Sequence, residues 1–118
     1  MTEFHFMLRR TKEFGRWYAS QDGRDRVRID ARLEEATKGH FGTSRSLSEG
    51  LFELKWKNGM RVYFSRKRVA GIDIFVLWGG FKGNQDSDIS KARYLKARSE
   101  HEAENEEREK RGDESRGA

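Results

Sequence analysis

The chain has 118 residues, 34% hydrophobic and 38% charged, which suits one domain with a modest core. It has no cysteine and no proline, so disulfides, thiolate metal sites and proline-stiffened linkers are excluded, and no run approaches the roughly 18 apolar residues of a membrane span. The net charge is +5 but uneven: residues 99–118 carry eight acids and four bases, leaving 21 bases and 12 acids, or +9, on the rest.

Residues 4–9 alternate, with Phe4, Phe6 and Leu8 on one side, and read as a half-buried strand. Thr11 is a candidate N-cap, and Phe14, Trp17 and Tyr18 at helical spacing predict a short helix over 12–20. Asp22-Gly23 breaks the chain, and Asp22 caps a second, Arg- and Glu-rich helix over 24–38, stopped by Gly39. Residues 39–50, rich in Gly, Ser and Thr, read as a loop.

Residues 51–57 and 60–66 alternate around Asn58-Gly59, a hairpin signal. A two-residue loop would mix their faces. An odd loop or a bulge, pairing Trp56 with Val62 and Leu54 with Phe64, keeps the apolar side continuous and places Lys55, Lys57, Arg61 and Tyr63 together on the other. The apolar run 72–78 reads as a central strand covered on both faces and ended by Gly79-Gly80. Asp86, Ser87 or Asp88 can cap a last helix over about 89–98. Residues 99–118 lack apolar periodicity and read as a frayed helix passing into a disordered, acid-rich tail. The tail is read as solvated, with shielding of the basic face as the alternative. The expected fold is α+β, a small antiparallel sheet in the order β-α-α-β-β-β-α with helices packed on it.

A body at +9 points to a polyanion, and nucleic acid is the commonest. Three arrangements sharpen this. Lys55 and Lys57 lie two residues apart on a strand, about 7 Å, near the spacing of successive phosphates. Arg61 follows the hairpin tip, and a guanidinium can clamp a phosphate with two hydrogen bonds. Gly79-Gly80 lets backbone approach a ligand, with Lys82 just beyond. Each also has a bland reading, as a solvated sheet face, a surface arginine and an ordinary turn. His5, His40 and His101 belong to no motif and form no metal-ligand spacing. Trp17, Trp56 and Trp78 sit on apolar faces and read as core.

In this order the motifs resemble the phage-derived killer-protein branch of the RelE/ParE/HigB toxins. They stand here as Glu53-Leu54-Lys55, Arg61-Val62-Tyr63-Phe64, Trp78-Gly79-Gly80-Phe81-Lys82 and Asp88-Ile89-Ser90-Lys91-Ala92, preceded by Arg10-Thr11-Lys12-Glu13-Phe14 and Trp17. The resemblance covers residues 4 to about 98, which makes 1–98 the expected RelE-like toxin domain and 99–118 its tail. It implies metal-independent mRNA cleavage, usually on the ribosome, with no cofactor. Arg61 and Lys82 would hold the scissile phosphate, Lys55 would serve as general base or phosphate contact, and Lys57, Tyr63, Arg66 and Lys91 would bind RNA. It further implies a cytoplasmic protein held silent by a HigA-like helix-turn-helix antitoxin, in a heterotetramer. Phe81, where the family has Asp, and a hairpin loop shorter than the family's glycine-proline-glycine form depart from the pattern. A ParE-type toxin acting on gyrase through protein contacts would not need the Lys55/Arg61/Lys82 cluster. A non-toxic nucleic-acid-binding module is the third alternative.

Overall fold

A computed structural model describes residues 5–116. It is an α+β domain: β1 (Leu8–Arg10), α1 (Lys12–Ala19), α2 (Gly23–Thr37), β2 (Ser44–Ser46), β3 (Leu51–Lys55), β4 (Met60–Ser65), β5 (Ile74–Phe81) and α3 (Gln85–Arg116). The five strands form one sheet in the order β1-β5-β4-β3-β2. It is antiparallel except that β1 runs parallel to β5, so the sheet is mixed rather than purely antiparallel. Among the described residues no helix is long and apolar enough to cross a membrane.

Local signals account for the first two helices. The Thr11 hydroxyl accepts a hydrogen bond from the Phe14 amide at 2.9 Å, and the Asp22 carboxylate accepts one from the Asp25 amide at 2.8 Å, each satisfying an otherwise orphaned donor. Gly39, at φ +87°, takes the left-handed conformation that ends α2. Both helices cover one face of the sheet, where Phe14, Ile29, Leu33 and Ala36 pack on Leu54, Met60, Val62, Phe64, Ile74 and Val76. α3 covers the other, where Ala92, Leu95 and Ala103 pack on Leu51, Tyr63, Phe75 and Leu77.

The expected hairpin forms with an odd, three-residue loop, 57–59, and a continuous apolar side, but its register differs by two residues. Leu54 faces Val62 and Phe52 faces Phe64, while the Trp56 amide bonds to Met60 O at 3.0 Å. Gly59 turns the loop at φ +92°, and its amide donates to Trp56 O at 3.1 Å.

β5 departs from the sequence reading more instructively. Gly79 and Gly80 do not end it; they pair with Val62 and Arg61 inside the strand. The register slips between Tyr63 and Phe64, so that Tyr63 faces Trp78, Phe64 faces Val76, and Leu77 is the extra residue of a β-bulge. The Thr11 hydroxyl donates to the freed Leu77 carbonyl at 2.7 Å, tying the bulge to the start of α1. The slip lets both Leu77 and Trp78 pack on the α3 side. It then sets Gly79 beneath the Trp17 ring and Gly80 beneath the Asp88 carboxylate, where any Cβ would overlap them.

Three further expectations are corrected. The N-terminal strand is Leu8–Arg10 rather than 4–9, and Phe4 lies outside the described residues. The segment 39–50 contains an edge strand, β2, of three exposed polar residues that no hydrophobic pattern could announce. The chain does not leave the fold at residue 98. α3 continues unbroken to Arg116, and Ser99, Glu100 and Ala103 are buried, so a domain boundary at 98/99 would cut a packed helix.

Candidate nucleic-acid interface

The hairpin end of the sheet gathers most of the expected site. In one cross-strand row Lys55 faces Arg61, which faces Gly80; in the next, Arg45 faces Glu53, then Tyr63, then Trp78. These side chains share the α3 side because residues two apart on a strand point the same way.

Glu53 is the hub, with no exposed surface. Arg45 approaches its carboxylate at 3.0 Å and Arg61 Nε at 3.7 Å, while Gln85 from the first turn of α3 donates to it at 3.3 Å. Arg61, 8% exposed, also donates from Nη1 to the Gly59 carbonyl at 2.9 Å. A buried carboxylate without these partners would be strongly destabilising. The arrangement therefore holds Arg61 in one place, with Nη2 free of partners among the described residues.

Three lysines lie at the same end of the sheet. Lys55 is half-buried, Lys57 is exposed in the loop, and Lys82 is exposed just past β5. The Lys82 amide donates to Gly59 O at 2.8 Å, fixing that lysine against the hairpin tip. Among the described residues none of the three ammonium groups forms an ion pair. Such a cluster can bind phosphate oxygens without first breaking a salt bridge.

Tyr63 is not available to position RNA. It is fully buried beneath α3, and its hydroxyl has no partner among the described residues. Burial, reinforced by the charges of Glu53 and Asp88, pushes its pKa up to about 12. Arg66 is also elsewhere, at the far end of β4 and on the α1/α2 side, its guanidinium 4.3 Å from the Phe41 ring centroid and 5.7 Å from that of Phe6. Lys91 sits 5.5 Å from the Trp78 ring centroid, lining a separate cleft with Glu13, Arg16 and Trp17. Trp78 donates to Asp88 at 3.0 Å, which fixes the first turn of α3 over β5.

His40 pairs with Glu35 at 3.1 Å, and His101 is exposed on α3. Among the described residues no group of three or more His, Cys, Asp or Glu side chains could hold a metal ion. The acids around Glu106 lie far from the lysines, since the 22 residues from Gln85 to Glu106 span about 30 Å of helix. Glu106 binds Arg9 at 3.0 Å and Glu104 binds Lys67 at 3.5 Å, so these two acids do not shield the hairpin lysines.

A second cavity, about 280 Å³, is lined by Arg9, Arg10, Lys12, Arg98 and Glu102. Its arginines are already paired, Arg98 with Glu13 at 2.5 Å, Arg9 with Glu106 at 3.0 Å and Arg10 with Asp30 at 3.8 Å. Sequence reasoning missed Arg45 and Gln85, which come from a polar segment and a helix start without pattern. It gave Glu53 no role; the signal was a lone acid in alternation with Lys55 and Lys57.

No family model matches the chain, and no solved structure matches it. An "uncharacterized protein" of Haemophilus influenzae (strain ATCC 51907 / DSM 11121 / KW20 / Rd) is 33% identical over 91 residues, spanning 75% of this chain and 90% of that protein. The chain belongs to the family of that Haemophilus influenzae protein.

Proposed function

We propose that this protein is a RelE-like toxin that binds mRNA through phosphate contacts at the hairpin end of its sheet and cleaves it without a metal ion. The observation that carries the reading is the trio of unpaired lysines, Lys55, Lys57 and Lys82, at the hairpin end of the sheet beside an anchored Arg61. In the proposed reaction the ribose 2′-oxygen attacks the adjacent phosphorus and loses its proton, and the bond to the 5′-oxygen breaks as that oxygen gains one. Lys82 and Arg61 stabilise the charge that develops on the phosphoryl oxygens. Lys55 holds a phosphate oxygen beside the attacking 2′-oxygen, whose proton passes to water, and Lys57 holds a neighbouring phosphate. The natural setting is the cytoplasm and the translating ribosome, with a helix-turn-helix antitoxin covering the basic end and completing a heterotetramer.

The test is incubation with translating ribosomes and mRNA, with EDTA added at the cleavage step. New 5′-hydroxyl and 2′,3′-cyclic phosphate ends are expected, reduced by about 10²–10³-fold in Lys82→Ala. An absolute requirement for Mg²⁺ at that step, or full activity in folded Lys82→Ala, overturns the mechanism.

One observation favours a second reading, RNA binding without cleavage: Arg61 is already held by Glu53 and the Gly59 carbonyl. Salt-dependent RNA binding with no cleavage on ribosomes would select it.

A further inference from the structure

Beside the lysine cluster, on the opposite side of the hairpin loop, a cleft of about 360 Å³ opens between the loop and α2, lined by Arg28, Trp56, Lys57 and Asn58. Trp56 is the last residue before the loop and is half-buried. The Arg32 guanidinium stacks on it, 4.6 Å from the ring centroid. Arg32 is itself immobilised by three backbone carbonyls, of Lys55 at 2.8 Å, Phe41 at 3.1 Å and Thr43 at 2.9 Å. The indole is thus fixed in orientation.

Asn58 locks the cleft's rim. Its amide nitrogen donates to Asp25 at 3.4 Å, and its oxygen accepts from the Met60 amide at 3.0 Å, joining the loop to the first turn of α2. Two cations flank the ring: Lys57, which is unpaired, and Arg28, about half exposed and 3.3 Å from Asp25. The Trp56 indole N–H makes no hydrogen bond among the described residues. An immobilised aromatic ring, a free N–H donor and two flanking cations form a surface for a planar, hydrogen-bonding group attached to an anion.

We propose that this cleft takes one unpaired nucleobase of single-stranded RNA, stacked on Trp56, with its phosphates passing over Lys57 towards Lys55 and Lys82. The proposal rests on the RNA reading above and makes it more specific. Lys57 belongs to both features, so a strand crossing the loop meets phosphate-binding lysines on one side and an aromatic platform on the other. A duplex has no free base face to offer such a platform, so the occupant is single-stranded.

The experiment measures binding of full-length protein to two fluorescent 2′-O-methyl oligoribonucleotides, which cannot be cleaved through the 2′-oxygen. One carries bases throughout, and the other has the same backbone with abasic residues. Wild type is expected to bind the base-bearing strand about 5- to 100-fold more tightly at fixed salt. Trp56→Leu should remove that difference and keep the salt dependence, while Trp56→Phe should retain most of it. Melting curves establish that both variants are folded, and Trp56→Phe keeps the test decisive if Trp56→Leu is not. Equal binding of the two strands by wild type, or an undiminished preference in folded Trp56→Leu, overturns the proposal while leaving phosphate binding intact. Failure of both strands to bind overturns the RNA reading as well.

Discussion

Deleting residues 99–118 should destabilise the fold, although this is the least hydrophobic part of the chain. The deletion removes Ala103, fully buried in the cluster with Leu95, Val69, Leu51 and Tyr63, and the buried Ser99 and Glu100. It also ends the Lys96–Glu100 pair at 3.1 Å and the more exposed Arg9–Glu106 and Lys67–Glu104 pairs. One buried methyl is worth about 0.8 kcal/mol, and uncovering neighbouring aliphatic surface adds about 1–2 kcal/mol. The exposed ion pairs contribute little, on the order of a few tenths of a kcal/mol each. The sum, about 2–3 kcal/mol, corresponds to a melting temperature lower by about 10–20 °C in a domain of this size. The assay is thermal unfolding followed by circular dichroism, beside a control deleting only 113–118, whose melting temperature should stay within about 2 °C of the full chain. An unchanged melting temperature for the longer deletion would refute the packing role of the α3 extension.

Glu13→Gln should flatten the acid limb of stability. The hydrogen-bonded Arg98 guanidinium holds the Glu13 carboxyl at about 2, against an ordinary 4.5. A depressed carboxylate stabilises the fold above its unfolded pKa and loses that contribution as pH falls towards its folded pKa. The variant should therefore be less stable at pH 7 by on the order of 1–2 kcal/mol and converge with wild type only as pH falls to about 2, as read from urea melts across pH. Gly79→Ala should lower stability by about 1–3 kcal/mol, because its Cβ would overlap the packed Trp17 ring; a wild-type urea midpoint would contradict that packing. Tyr63→Phe removes a buried hydroxyl without a partner and should raise stability by about 1 kcal/mol with RNA affinity unchanged; a loss of affinity would restore Tyr63 to the interface.

Where structure is set by local chemistry, it was legible in the sequence. The caps at Thr11 and Asp22, the stop at Gly39 and the hairpin at Asn58-Gly59 each rest on residues within a turn of the feature they specify. The bulge at Leu77 was not legible, because every neighbour in a run buried on both faces is apolar and the period-two pattern is silent. Nor was the length of α3, whose buried positions after Arg98 are Ser99, Glu100 and Ala103, residues whose type does not signal a core. At the candidate site, Lys55 and Arg61 followed from strand alternation and Lys82 from its place after the glycines. The burial of Tyr63 did not follow, because alternation says which residues share a face and not which half of that face a helix covers.

The account's central claim is that Lys55, Lys57 and Lys82 contact nucleic-acid phosphates. The most direct measurement is the salt dependence of affinity for a single-stranded oligoribonucleotide, compared between wild type and a Lys55→Ala, Lys57→Ala, Lys82→Ala triple variant. Removing one lysine from a phosphate should lower the slope of log affinity against log salt by about 0.7, so the triple variant should fall by about 2, while Arg66→Ala with Lys91→Ala should leave the slope unchanged. A folded triple variant with the wild-type slope would contradict the claim.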